Sequence, residues 1–250
     1  VGRYRGLLGN PNGLGIFLLV MFSVVYPIFN RKEFQRKDRV FVWLFYTLFF
    51  GSLVFSASRS ALIAIGIFVL LNRFRYFSNI VMLVIFVIFV ISYEVLLNQL
   101  PNIIMSLGLE EYFRLETLEE GSGRFVAWNF AWEHVQDSFF VGGGFSHSEY
   151  VFRTFGQRLS ILGHQGNVHN SYLTLWLDTG LIGIILFAVG IVRALYLALA
   201  NSPYALALIL AILFSAYFES WLAASLNPFT ILFVLTLTIL SIPKQPPNFG

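Results

Sequence analysis

The chain has 250 residues, of which 57% are hydrophobic, 18% aromatic and 12% charged, with a mean hydropathy of +0.75. Soluble domains carry roughly 25% charged residues, so this composition excludes a water-soluble protein and describes one built for a bilayer. Sixteen Lys and Arg against 13 Asp and Glu leave +3, but the basic residues form short clusters between apolar runs and no stripe for nucleic acid, and the absence of cysteine removes disulfides, thiolate nucleophiles and Cys-ligated metals. The chain opens on Val1 with no signal-peptide pattern ahead of its first apolar run, and therefore reads as lacking its start.

About 20 apolar residues cross a bilayer. The runs at 13–29, 40–57, 60–72, 79–97, 172–192, 203–220 and 228–242 predict seven transmembrane helices. Leu, Ile, Phe and Val fall on every face of these runs, which is not the alternation of a transmembrane barrel strand. The expected fold is an all-α polytopic membrane protein with a transmembrane part at 1–97, an extracytoplasmic loop at 98–171 and a second transmembrane part at 172–250. Orientation follows from Arg31, Lys32, Arg36, Lys37 and Arg39, which crowd the first connection and mark it cytoplasmic. Counting helices from there places Arg73, Arg75, Arg193 and Lys244 on the same side.

The loop at 98–171 faces outward and holds eight acidic residues against four arginines. Within it, Glu110 and Arg114 pair at i, i+4 on a short acidic helix ended by Gly121. Trp128, Ala131, Trp132, Val135 and Phe139 then form one apolar stripe on a helix starting near Ser122 and Arg124, predicted to lie on the membrane interface. Gly142, Gly143 and Gly144 after it read as a flexible hinge.

Charge near membrane depth is costly, so each such residue is a functional candidate. Arg59 stands in a polar turn, Ser56-Ala57-Ser58-Arg59-Ser60, with no acidic residue within twenty positions. Arg3 and Arg5 precede a tight Gly9-Asn10-Pro11-Asn12-Gly13 turn on the same outer face. His169 and Asn170 stand directly before a helix start, beside backbone N–H groups and the positive end of a dipole, a corner that attracts phosphate. Guanidinium forks match phosphate oxygens, and imidazole titrates in the range useful for proton transfer. There is no GxxxxGK loop, Gly-x-Ser-x-Gly elbow, HExxH helix or DxD pair. No metal site or other cofactor is expected.

The segments Arg5-Gly6, Gly9-Asn10-Pro11-Asn12, Ser58-Arg59, Ser122-Gly123-Arg124 with Trp128, Gly142 to Gly144, His169-Asn170-Ser171-Tyr172-Leu173 and Gly180-Leu181-Ile182-Gly183 resemble, in order and placement, those of the O-antigen ligase and polymerase family. The resemblance implies a multi-pass glycosyltransferase of the bacterial inner membrane, active outside the cytoplasm. Its partners would be membrane lipids, an undecaprenyl diphosphate-linked glycan donor and a lipid or glycan acceptor, with no metal, cofactor or nucleic acid. It further implies that Arg59 and one of Arg3 or Arg5 hold the diphosphate, that Arg124 and Asn170 assist substrate binding, and that His169 is the essential histidine near the acceptor. Ligase is favoured over repeat-unit polymerase because the His-Asn-Ser-Tyr-Leu segment closes the external loop. A transporter of lipid-linked saccharide is the reading from another class.

Overall fold

The computed structural model describes residues 3–29, 38–106, 115–161, 166–222 and 227–242, and every regular element among them is helical. In chain order these are α1 (Pro11–Phe29), α2 (Arg39–Ser56), α3 (Arg59–Arg73), α4 (Asn79–Ser106), α5 (Leu115–Asp137), α6 (His147–Thr154), α7 (Gly156–Ile161), α8 (Ser171–Asn201), α9 (Ala205–Phe218) and α10 (Pro228–Ser241), after a 3-10 turn at Gly6–Leu8. The seven apolar runs each coincide with one of α1 to α4 and α8 to α10. By length and composition α1, α2 and α8 can cross a membrane, while α9, α10 and the Asn79–Tyr93 stretch of α4 are shorter apolar helices. Helix starts follow local chemistry. Asn227 Oδ1 accepts from Phe229 N at 2.9 Å with Pro228 opening α10, and Asn10 Oδ1 accepts from Asn12 N at 2.8 Å with Pro11 opening α1.

The chain divides into two compact units, one of Val1–Phe77, Ala188–Phe218 and Leu226–Gly250, the other of Ser78–Phe187 and Glu219–Ser225. In the first unit α9 packs on α3, and α1 packs on α2 and α3. Every residue of α9 except Leu213 and Tyr217 is buried. Phe22 on α1 meets the rings of Tyr46, Phe49 and Phe50 on α2 and of Phe68 on α3 at centroid distances of 5.1–6.2 Å. By contrast α2 leaves Trp43, Leu48, Val54 and Phe55 exposed, and α8 leaves Leu186, Val189 and Val192 exposed. Such bands of uncovered apolar side chains are what lipid solvates.

In the second unit the core is built from Ala127, Phe130, Ala131 and Val135 of α5, Val151 and Phe152 of α6, Leu159 of α7, and Val168 with Leu177. The buried face of α5 keeps Ala131 and Val135 of the expected stripe, with Trp128 and Phe139 packed against it, and adds Ala127 and Phe130. Trp132 is left exposed, its ring edge-on to Trp176 at 5.3 Å, and Phe139 lies beyond the end of α5. Two alanines on the true face let large neighbours close in, which an indole there would prevent. Protein covers the most apolar side of α5. The helix is also longer than expected, running unbroken from Leu115 through Gly121 and Gly123. Glycine weakens a helix interior by about 1 kcal/mol but ends it only where a left-handed cap forms. The Glu110–Arg114 pair lies outside the described residues.

Gly142 to Gly144 are not a hinge. At Gly180, φ 67° and ψ −172° break α8. The break frees the carbonyls of Leu177 and Asp178 and the N–H groups of Leu181 and Ile182 from their helical bonds. Gly143 N and Gly144 N donate to the two carbonyls at 2.8 and 2.9 Å, and Leu181 N and Ile182 N donate to Phe139 O and Phe140 O at 2.9 and 3.1 Å. The loop thus replaces what the helix loses, as irregular backbone in an apolar setting requires. The two stretches of chain lie so close that a Cβ on Gly142 would come within 2.5 Å of the Asp178 backbone, and one on Gly180 within 2.3 Å of Phe140 C. Gly180→Ala should therefore lower the melting temperature of the detergent-purified protein markedly, since that backbone region alone costs about 1–3 kcal/mol for a residue with a side chain. An unchanged melting curve would show that the clasp does not form.

Candidate active site

In the first unit, α2 ends in a left-handed turn at Ala57 (φ 48°) and α3 begins two residues after it, with Arg59 as its first residue. Gly15 permits this turn to sit against α1, since a Cβ there would lie 2.4 Å from Ser58 Oγ and 2.8 Å from Ala61 Cβ. Arg3 fastens it from outside. Its Nε donates to Ser56 O at 3.0 Å and its Nη2 to Ala57 O at 3.0 Å and Asn12 Oδ1 at 2.7 Å, while Tyr4 N donates to Phe55 O at 3.0 Å. A guanidinium on the last carbonyls of a helix also offsets the negative end of its dipole. Arg3 thus holds the corner together.

Arg59 and Arg5 are exposed and have no hydrogen-bond or ion-pair partner among the described residues. Ser58 makes no capping hydrogen bond with its side chain, so the first turn of α3 keeps the uncapped amides that favour an anion. Two unneutralised guanidinium groups and a helix start are chemically suited to a phosphate ester, and only two of the 13 acidic residues, Glu33 and Asp38, fall in this unit.

In the second unit, His169 and Asn170 precede α8 as expected, but the adjacent amides are not free. Asn170 Oδ1 accepts from Tyr172 N at 2.9 Å and Leu173 N at 3.1 Å, making Asn170 the buried N-cap of the helix. The carboxamide oxygen of this expected binding residue is thus engaged in setting the helix start. His169 itself is held at φ 49°, a left-handed conformation uncommon for a residue with a side chain, and its N–H donates to Asn167 Oδ1 at 3.0 Å.

Glu219 is the residue sequence reasoning misses. Its side chain is 8% exposed, its Oε1 lies 3.1 Å from Arg124 Nη2, and its Oε2 makes a longer contact of 3.5 Å with His169 Nδ1. One buried carboxylate therefore joins two of the predicted site residues. The backbone around it is fixed by Ser171, whose hydroxyl donates to Glu219 O at 2.6 Å and accepts from Trp221 N and Leu222 N, and by Ser220, whose Oγ accepts from Asn170 N at 2.9 Å. A signal for it exists in the sequence, since Glu219 falls inside the apolar run 203–220 and such an acid is a functional candidate by default. Asp178 shares that signal but serves the fold, because its Oδ1 accepts from Ser148 N at 2.7 Å at the start of α6. Arg124, His169 and Asn170 thus come together in the second unit, and Arg3, Arg5 and Arg59 belong to the first.

No curated protein matches the chain. A family model described as O-antigen ligase matches residues 43–188, a stretch that contains Arg59, Arg124, the glycine clasp and His169 and covers more than half of the sequence. With apolar helices where a polytopic protein needs them and a histidine, an arginine and a buried carboxylate gathered at the start of α8, that match settles the affiliation, and the chain belongs to the O-antigen ligase family.

Proposed function

We propose that this protein is a seven-span glycosyltransferase of the bacterial inner membrane that passes an O-antigen-type glycan from undecaprenyl diphosphate to a sugar hydroxyl on the outer face. The observation that carries the reading is the Arg124–Glu219–His169 cluster within a member of a family of ligase- or polymerase-type membrane enzymes. Arg59 with Arg5 holds the diphosphate, and Arg124 supplies positive charge beside His169 on their shared carboxylate. The acceptor oxygen attacks the anomeric carbon, the bond from that carbon to the phosphate oxygen breaks, and the diphosphate leaves with both electrons of that bond. His169 takes the acceptor's proton through the ring nitrogen turned away from Glu219. Guanidinium groups supply here what a divalent ion supplies in metal-dependent transferases. Among the described residues no group of three or more His, Asp or Glu is gathered in the manner of a metal site.

Polymerisation of repeat units uses the same chemistry with a glycan end as acceptor. Transport is less well supported: the helix break at Gly180 is of the kind that lines solute sites, but residues 139–144 already occupy the backbone groups it releases. Deleting the gene and analysing surface polysaccharide separates the readings. Full-length glycan left unattached supports a ligase, single repeats support a polymerase, and an unaltered surface overturns the assignment to glycan transfer.

A further inference from the structure

The far end of α3 carries a second basic site, unconnected with the transfer chemistry. A helix of 15 residues spans roughly 22 Å, so Arg73 stands about that far from Arg59 along the same rod. There a cavity of about 230 Å³ is lined by Tyr26, Val69, Asn72, Arg73, Arg75 and Tyr76. Arg73 is exposed and has no carboxylate partner among the described residues. The Arg75 guanidinium stacks over the rings of Tyr76 and Tyr204, each 4.8 Å away, and donates to the Tyr76 hydroxyl at 2.6 Å. That aromatic seat fixes its direction without neutralising it.

Asn72 is the second, independent sign. It is 4% exposed, lines the cavity, and neither Oδ1 nor Nδ2 of its carboxamide has a hydrogen-bond partner among the described residues. A buried amide with both ends unsatisfied is rare and costly, and suits a place where a polar guest binds. Around the cavity the surface turns apolar, with Val69, Leu70, Tyr76 and Phe77 all exposed. A guest with a phosphate at one end and hydrocarbon at the other matches all of these features, because Arg forks bind phosphate oxygens, the carboxamide can pair with an ester or hydroxyl oxygen, and the apolar rim receives chains.

We propose that the cavity at Asn72, Arg73 and Arg75 binds a phosphate group, carried by the headgroup of an anionic phospholipid. The cavity shares no residue with the proposed transferase reaction. The test is binding of fluorescent phosphatidylglycerol and phosphatidylcholine analogues to the detergent-purified protein. Phosphatidylglycerol should bind on the order of tenfold more tightly. Arg73→Gln with Arg75→Gln should erase that preference at an unchanged melting temperature, whereas Arg193→Gln, which removes a basic residue elsewhere in the unit, should leave it. Millimolar inorganic phosphate that fails to displace the lipid identifies the headgroup as occupant, and efficient displacement identifies free phosphate. Equal binding of the two lipids, a preference that survives the double variant, or an equal loss with Arg193→Gln would overturn the proposal.

Discussion

Replacing Arg59 with alanine is expected to reduce glycan transfer by roughly 10²–10³-fold, the size of effect seen when one preorganised charge-stabilising donor is removed. The amount of protein in the membrane should stay near normal, because Arg59 is exposed and no described residue depends on it. Arg59→Lys should recover little, since an ammonium supplies charge without the two-pronged contact that a phosphate ester rewards. His169→Ala should cost a comparable factor of about 10²–10⁴ if the imidazole moves a proton. Transfer measured on washed membranes, normalised to protein amount, checks both. If the two alanine variants keep wild-type rates, the catalytic assignment falls. Arg3 gives the opposite case, because its guanidinium bonds three partners that shape the turn before Arg59. Changing Arg3 should therefore lower the melting temperature as well as transfer.

The difference between Arg3 and Arg59 is invisible in the sequence, where both are arginines in glycine- or serine-rich turns on the same expected face. What sequence does encode well is anything set by a local period or a local length. An apolar run long enough for a helix becomes one, and Asn before Pro at positions 10–11 and 227–228 marks a start in both places. Pairings between distant segments are not encoded locally. Gly142 to Gly144 look flexible because nothing beside them in the chain reveals that Leu177 and Asp178 will offer two carbonyls. The stripe expected on α5 errs at Trp132 for a related reason: an indole scores as apolar, yet burial there depends on how closely other helices approach, and Ala127 permits the closer approach that Trp132 does not. His169 is legible from its position, but the carboxylate that holds it lies fifty residues away in sequence.

That carboxylate gives the second large effect. Glu219 lies outside the stretch matched by the family model, so its importance rests on geometry alone. Truncating one member of a fully buried ion pair costs about 3–5 kcal/mol, and of an exposed pair about 0–1 kcal/mol. With side-chain exposures of 8% for Glu219 and 33% for Arg124, the pair sits between these limits, near ~1–3 kcal/mol. Glu219→Gln keeps the shape and an oxygen able to accept from Arg124 but removes the charge facing His169. It should lower the melting temperature less than truncation does while lowering transfer about ten- to hundredfold, a split that a merely structural residue would not produce. Glu219→Ala should lose both. The decisive measurement is a double-mutant cycle on transfer rate with Arg124→Gln and Glu219→Gln. If the carboxylate sets the two cationic groups in place as one unit, the double variant is less impaired than the product of the single effects, with a coupling of at least about 1 kcal/mol. Strictly multiplicative losses would mean that Arg124 and Glu219 act independently, and the cluster would then be a feature of the fold and not of the chemistry.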